Sequence, residues 1–350
     1  MRVEGMGRSK GIQPWVASAL MLAVGLGASV PAYSVNKVAT TAAQFLKVGV
    51  GARAIGMGGA FVAVANDATA LYWNPGGIPR LPQNELVMLH TAWLADVSYD
   101  FAGLTLNLGN FGTVGASLAT LNMGEMEVRT EQKPEGTGEY FDAGDFVAAV
   151  SWGRSLTDRF SIGFNFKYIH QSIWRMSASG FAFDIGTLFT TQFHEMKIGM
   201  CISNFGTEMQ MRGQNARRYY DINPEAYGSN DRIPVYLETD RWPLPLLFRV
   251  GVAMDVLRTG SQRLTGAIDA VHPNDNVEHV NVGLEYAWYD VVFLRVGYKS
   301  LLDSQSEQGL TAGGGIRYAL GANAGIRLDY AYADFGRLST VHRFSLALEF

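Results

Sequence analysis

From position 84 to its last residue the 350-residue chain repeats one unit, a segment of about 9 to 11 residues in which apolar side chains alternate with polar or small ones. In the stretch 160 to 168, Phe160, Ile162, Phe164, Phe166 and Tyr168 alternate with Ser161, Gly163, Asn165 and Lys167. Leu246, Phe248, Val250, Val252, Met254 and Val256 alternate in the same way with Leu247, Arg249, Gly251, Ala253 and Asp255. Val280, Val282, Leu284, Tyr286 and Trp288 continue the pattern, as do Ile326, Leu328, Tyr330 and Tyr332. A period of two is that of a β-strand, whose successive side chains leave opposite faces of the sheet. A two-sheet sandwich alternates too, with its apolar face inward. Here the second face is rich in Gly and Ala as well as charge, the segments have the length of a tilted strand crossing a bilayer, and the connections read as alternately short and long. These features predict an all-β fold: a 14-stranded antiparallel transmembrane outer-membrane β-barrel over 84–350. An even strand number closes such a barrel with both ends on one side.

The alternation also assigns the charges. With apolar faces toward lipid, Lys167, Asp184, Arg249, Asp255, Arg263, Asp269, Glu285, Arg295, Arg317, Arg327, Asp329, Arg343 and Glu349 point into the lumen. Both signs occur there, which favours ion pairs around a plug over an open conduction path. Long connections are expected over 122–143, 205–244 and 300–308, on the outer side of the membrane. The longest, 205–244, is rich in Arg and Tyr, the composition of binding surfaces, and makes Arg217, Arg218, Tyr219, Tyr220 and Tyr227 candidate partner contacts.

Composition agrees where it bears on the question. Forty glycines, 12% aromatic residues and only 17% charged residues differ from a soluble domain, where about 25% charged is usual. The net charge of -4 argues against nucleic acid as a partner. Cys201 stands alone, so no internal disulfide staples the fold. Residues 1–34 read as a signal peptide, with Arg2, Arg8 and Lys10 before an apolar run from Trp15 to Val30 and cleavage after Ala32 or Ser34.

Little points to chemistry. Gly49-Val50-Gly51-Ala52-Arg53-Ala54 fits the loose dinucleotide pattern, yet no strand precedes it and no alternating helices follow. His194-Glu195 lacks the second histidine of a zinc helix, and His272 with His279 lacks a third ligand. There is no G-x-S-x-G nucleophile elbow. No enzyme activity, metal or cofactor is expected.

The stretch 45–78 carries a resemblance. Phe45 to Arg53 (FLKVGVGAR), Gly56 to Ala63 (GMGGAFVA), Asp67-Ala68 and Leu71 to Gly77 (LYWNPGG) closely resemble the N-terminal signature of the PorV/PorQ outer-membrane proteins, relatives of the FadL-type channels. Gly76 departs from the Ala most often found after Asn-Pro in that family. The resemblance implies that 35–83 is a lumenal hatch built on Gly49, Gly51, Arg53, Gly56, Gly58, Gly59, Asn74 and Pro75. It also implies a role in type IX secretion, with the sorting domains of exported cargo and the secretion translocon as partners. The alternative it leaves is a FadL-like channel for long-chain fatty acids or other hydrophobic solutes. Phe350, closing the strand Phe344, Leu346, Leu348, Phe350, resembles the signal by which outer-membrane proteins engage the barrel-assembly machinery. The expected location is the cell outer membrane, with its lipid around the barrel.

Overall fold

The computed structural model describes residues 40–225, 232–303, 306–321 and 324–350. The expected signal peptide, residues 35–39 of the expected hatch, and Tyr227 lie outside these residues.

Fourteen long strands form the wall: β1 (Glu85–Ala92), β2 (Ser98–Asn107), β3 (Thr113–Glu127), β4 (Tyr140–Ser155), β5 (Phe160–Ile173), β6 (Met176–Thr190), β7 (Lys197–Gly206), β8 (Leu247–Arg258), β9 (Gln262–Pro273), β10 (His279–Trp288), β11 (Val292–Tyr298), β12 (Leu310–Ala319), β13 (Gly325–Asp334) and β14 (Thr340–Glu349). Each pairs antiparallel with its chain neighbours, and β1 pairs with β14 from Glu85↔Glu349 to Ala92↔His342, so the sheet closes on itself. Closure removes both sheet edges and leaves no unpaired ladder to be satisfied in lipid.

Burial along the strands runs opposite to that of a water-soluble protein. On β5 the side chains of Ser161, Asn165 and Lys167 are buried, while Phe164, Phe166 and Tyr168 are exposed. On β8, Arg249 and Ala253 are buried and Phe248 and Val252 exposed. The same inversion runs round the wall, with Ile268, Leu284, Leu294, Val296, Leu328 and Phe344 all outward. Such a continuous apolar exterior is stable when lipid covers it.

Residues 41–81 lie within this wall and carry two short helices, α1 (Ala52–Gly56) and α2 (Ala70–Trp73), and 3-10 turns at Gln44–Lys47 and Pro75–Arg80. The helices are too brief to satisfy their own backbone, so inward side chains of the wall do so. Asp269 of β9 accepts from Phe61 N at 2.7 Å and Val62 N at 2.8 Å. Asn165 and Ser161 of β5 donate to Leu71 O and Gly76 O, both at 2.7 Å. Thr311 of β12 donates to Gly56 O at 3.3 Å, and Glu85 of β1 accepts from Ala68 N at 3.0 Å. The segment is thus held from all sides of the barrel.

The connections differ from expectation in two places. Both ends of 122–143 are strand, 122–127 and 140–143, since β3 and β4 continue pairing through Met123↔Ala143 and, beyond a bulge, to Glu127↔Tyr140. Residues 122–126 are exposed on both faces, because beyond the bilayer no lipid enforces alternation and the period stops marking the strand. β5 and β6 are joined by the two-residue turn Trp174-Arg175, so connections at that end are not uniformly long. The long connection itself, which follows β7 at Gly206, is folded: Arg217–Tyr220 pairs with Ile233–Tyr236, Met209–Gln210 pairs with Arg241–Trp242, and Arg212–Gly213 adds to β6.

Candidate functional site

The glycine-rich motif is assembled in the lumen as a close packing of backbones. Gly58 has φ +67°, and a Cβ there would lie 2.8 Å from Tyr298 N and Val282 O of the wall. Only a residue without a side chain suits both the left-handed conformation and that approach. A Cβ on Gly76 would stand 2.8 Å from the backbone of Gly186, which accounts for Gly rather than Ala after Asn74-Pro75 in this chain. Asn74 is a clamp: it accepts from Gly76 N at 3.0 Å and donates to Val62 O at 2.7 Å and to Thr187 O of β6 at 3.0 Å. Gly49, Gly51, Gly56 and Gly59 fill the same interior against Ile55, Thr69, Arg295 and Trp73 respectively.

Arg53 anchors an ion network between α1 and the wall. Its guanidinium donates to both oxygens of Glu285 at 2.7 and 2.8 Å and to Asp67 at 3.0 Å. Arg295 bridges Glu285 at 2.8 Å and Asp329 at 2.6 Å, and Arg327 bridges Asp329 at 3.1 Å and Glu85 at 2.8 Å. Arg263 and Arg317 complete it against Glu285 and Glu349. Five arginines (53, 263, 295, 317, 327) therefore face five buried carboxylates (67, 85, 285, 329, 349), and Arg263 also reaches the exposed Asp290 at 3.0 Å. Lys167 and Asp184 pair separately at 2.6 Å.

The half nearer the long connections is different. Arg249 and Arg343 are buried, and their guanidinium carbons sit 5.4 Å from the Trp73 ring and 5.1 Å from the Trp93 ring. Arg343 donates to Gly49 O, while its Nε has no partner. Lys299, just past β11, is pushed down to about 7 by burial and by the nearby charges of Arg343, Arg249 and Lys47. Lys47 is itself paired with Asp275 at 2.8 Å. Burial alone would raise the Asp275 carboxyl, but hydrogen bonds from Lys47, Gln44 and Thr41 outweigh it and hold the group below its usual range. Two cavities open here, of ≈ 200 Å³ beside Arg249 and His279 and of ≈ 650 Å³ beside Phe45, Trp93 and Met123, and Lys299 borders both. A further cavity of ≈ 780 Å³, lined by Arg53, Lys197 and Asp255, lies toward the chain-terminus end.

The predicted partner residues Arg217, Arg218, Tyr219 and Tyr220 are exposed on the paired segment 217–220, away from the lumen. Phe350 is half-exposed on the lipid side and exchanges backbone hydrogen bonds with Asn84 at 3.0 and 3.2 Å. Sequence reasoning missed Lys299 and Glu85, although each shares the inward parity of its strand, Lys299 with Arg295 and Glu85 with Val87.

A family model described as type IX secretion system protein PorV matches residues 32–214, over half of the chain. The chain belongs to the PorV family. Its matched part holds the whole lumenal motif and the first seven strands of the barrel. Comparison with curated proteins gives no match. Among solved structures the PorV-family chain resembles the CymD monoaromatic hydrocarbon channel at 12% identity, covering 86% of this chain and 96% of that one with a TM-score of 0.53. The toluene transporters TodX of Pseudomonas putida and TbuX of Ralstonia pickettii align equally broadly, each at 12% identity over 86% of this chain and 97% of theirs, with TM-scores of 0.53 and 0.51. At such identity the likeness establishes a shared barrel fold and nothing beyond it.

Proposed function

We propose that this chain is a non-enzymatic component of a type IX secretion system, an outer-membrane barrel whose mouth binds the sorting domains of exported cargo, the translocon, or both. The observation that carries the reading is membership of the PorV family through residues 32–214. It is supported by a lumen filled by residues 41–81, which we read as a plug, so that surfaces for partners lie at the mouth. There Arg217, Arg218, Tyr219 and Tyr220 stand on a paired, ordered scaffold, which lowers the entropy lost when a partner docks. Pull-down with the purified barrel, in a host that has the system, is expected to recover cargo sorting domains or a large translocon subunit. Replacing Arg217, Arg218 and Tyr219 together by Ala should reduce recovery without changing the amount of folded barrel. Recovery of neither partner by the unaltered protein sinks the proposal.

A second reading, a conduit for hydrophobic solutes, draws on the ≈ 650 Å³ cavity with its partly apolar lining. It requires a route past the plug, whose hydrogen bonds reach seven wall strands, β1, β5, β6, β9, β10, β12 and β14. Uptake of a radiolabelled fatty acid by vesicles carrying the protein, above that of empty vesicles, would favour this reading.

A further inference from the structure

Arg249, Arg343 and Lys299 face one region of the lumen, and among the described residues none of them forms an ion pair. We propose that these three residues form a binding site for an oxyanion, a carboxylate or phosphate group entering from the mouth of the barrel. Burying unpaired charge costs several kcal/mol per ion, and proteins offset it with a counter-ion or hydrogen bonds. The Arg53 network in the other half of the same lumen does so, arginine against carboxylate. Here the carboxylates are committed elsewhere, Asp184 to Lys167, Asp275 to Lys47 and Asp269 to the amides of Phe61 and Val62. Asp303 also borders the ≈ 200 Å³ cavity.

Ring contacts do not replace an anion. They stabilise a desolvated guanidinium by about 2 kcal/mol or somewhat more, less than the cost of burying the charge, and accept no hydrogen bond in plane. Arg343 Nε is left without an acceptor, and Arg249 meets hydroxyl acceptors, Ser203 Oγ at 3.3 Å and Tyr72, rather than an ion-paired carboxylate. The Lys299 side chain makes no hydrogen bond among the described residues and borders both cavities. Around the smaller cavity Ser300, Ser306 and Asn276 add neutral donors, so charge and hydrogen bonds converge on a space large enough for a carboxylate or phosphate. The larger cavity continues from Lys299 along Phe45, Trp93 and Met123, room for an apolar extension of the same ligand.

Calorimetric titration of the full-length barrel in nanodiscs tests this with three probes, inorganic phosphate, acetate and octanoate. At least one is expected to bind, and Arg249→Gln and Lys299→Gln are each expected to weaken it about tenfold, as loss of a charge-assisted hydrogen bond implies. Arg249→Lys, which keeps the charge, should retain most of the affinity, and each variant is first checked for its folded form on unheated gels. Phosphate alone binding assigns a phosphate source. Both acids binding assigns a carboxylate, and octanoate well above acetate places an apolar chain in the larger cavity. If none of the three binds the unaltered protein, or if Lys299→Gln and Arg249→Gln both bind as tightly as the unaltered protein, the site does not exist. This outcome is independent of the pull-down, which reads the exposed hairpin and not the lumen.

Discussion

Gly58 meets two demands at once, a left-handed backbone and contact with the main chain of β10 and β11. Gly58→Ala should cost about 1–2 kcal/mol for the conformation, and Gly58→Leu about 1–3 kcal/mol more for overpacking. The expected outcome is a smaller fraction of compact, unheated barrel on gels for Ala and little for Leu. Asp275 gives a second residue-level test. Its carboxyl is lowered on folding, so its contribution is complete above the ordinary carboxylate value of 3.8 and is lost as pH falls through the lowered value. Protection of the amides of Leu46 and Val48, which bond within the turn carrying Lys47, measured as exchange relative to the free-amide rate at the same pH, should be unchanged from neutral pH to the ordinary carboxylate value and fall below it. Asp275→Asn should show the lower protection at every pH.

Along a strand, neighbouring residues live in different solvents. Phe166 at the middle of β5 faces lipid, and Lys167 beside it bonds Asp184 at 2.6 Å and Asn204 at 2.9 Å inside the barrel. Phe166→Arg should therefore destabilise by about 2–4 kcal/mol, read from equilibrium unfolding in vesicles, although Arg is a common residue on the opposite face of the same wall. The two-residue period made these faces readable, since a slip of one position would turn Ser161, Asn165 and Lys167 out into lipid. Where lipid no longer acts, at 122–127 and over the hairpin formed by 217–220 and 233–236, the pattern stops and the strands were not legible. Their ladders rest on backbone hydrogen bonds in water, which leave little compositional trace.

The barrel and the segment inside it are joined by charge as much as by packing. Arg53 and Glu285 lie 232 positions apart and share two hydrogen bonds. Removing one partner leaves the other buried and under-compensated, so Arg53→Met should lower unfolding stability by about 3–5 kcal/mol. A double-mutant cycle with Glu285→Gln should return a coupling of about 0.5–3 kcal/mol. Additivity of the two changes would mean that the N-terminal segment and the wall are not coupled through this pair.

Sequence alone determined the number of strands, which face of each meets lipid, the inward direction of the charges and the family signature at 45–78, because these follow from a local period and a contiguous motif. Only the tertiary structure decided which charges neutralise one another. Strand parity sends Arg249, Arg295, Arg327 and Arg343 inward alike, but the fold brings Asp67, Glu85, Glu285 and Asp329 to Arg295 and Arg327, while among the described residues no carboxylate forms an ion pair with Arg249 or Arg343. Pairing depends on the register of strands distant in the chain and on where the enclosed segment places its own charged residues, and neither is written in any single stretch.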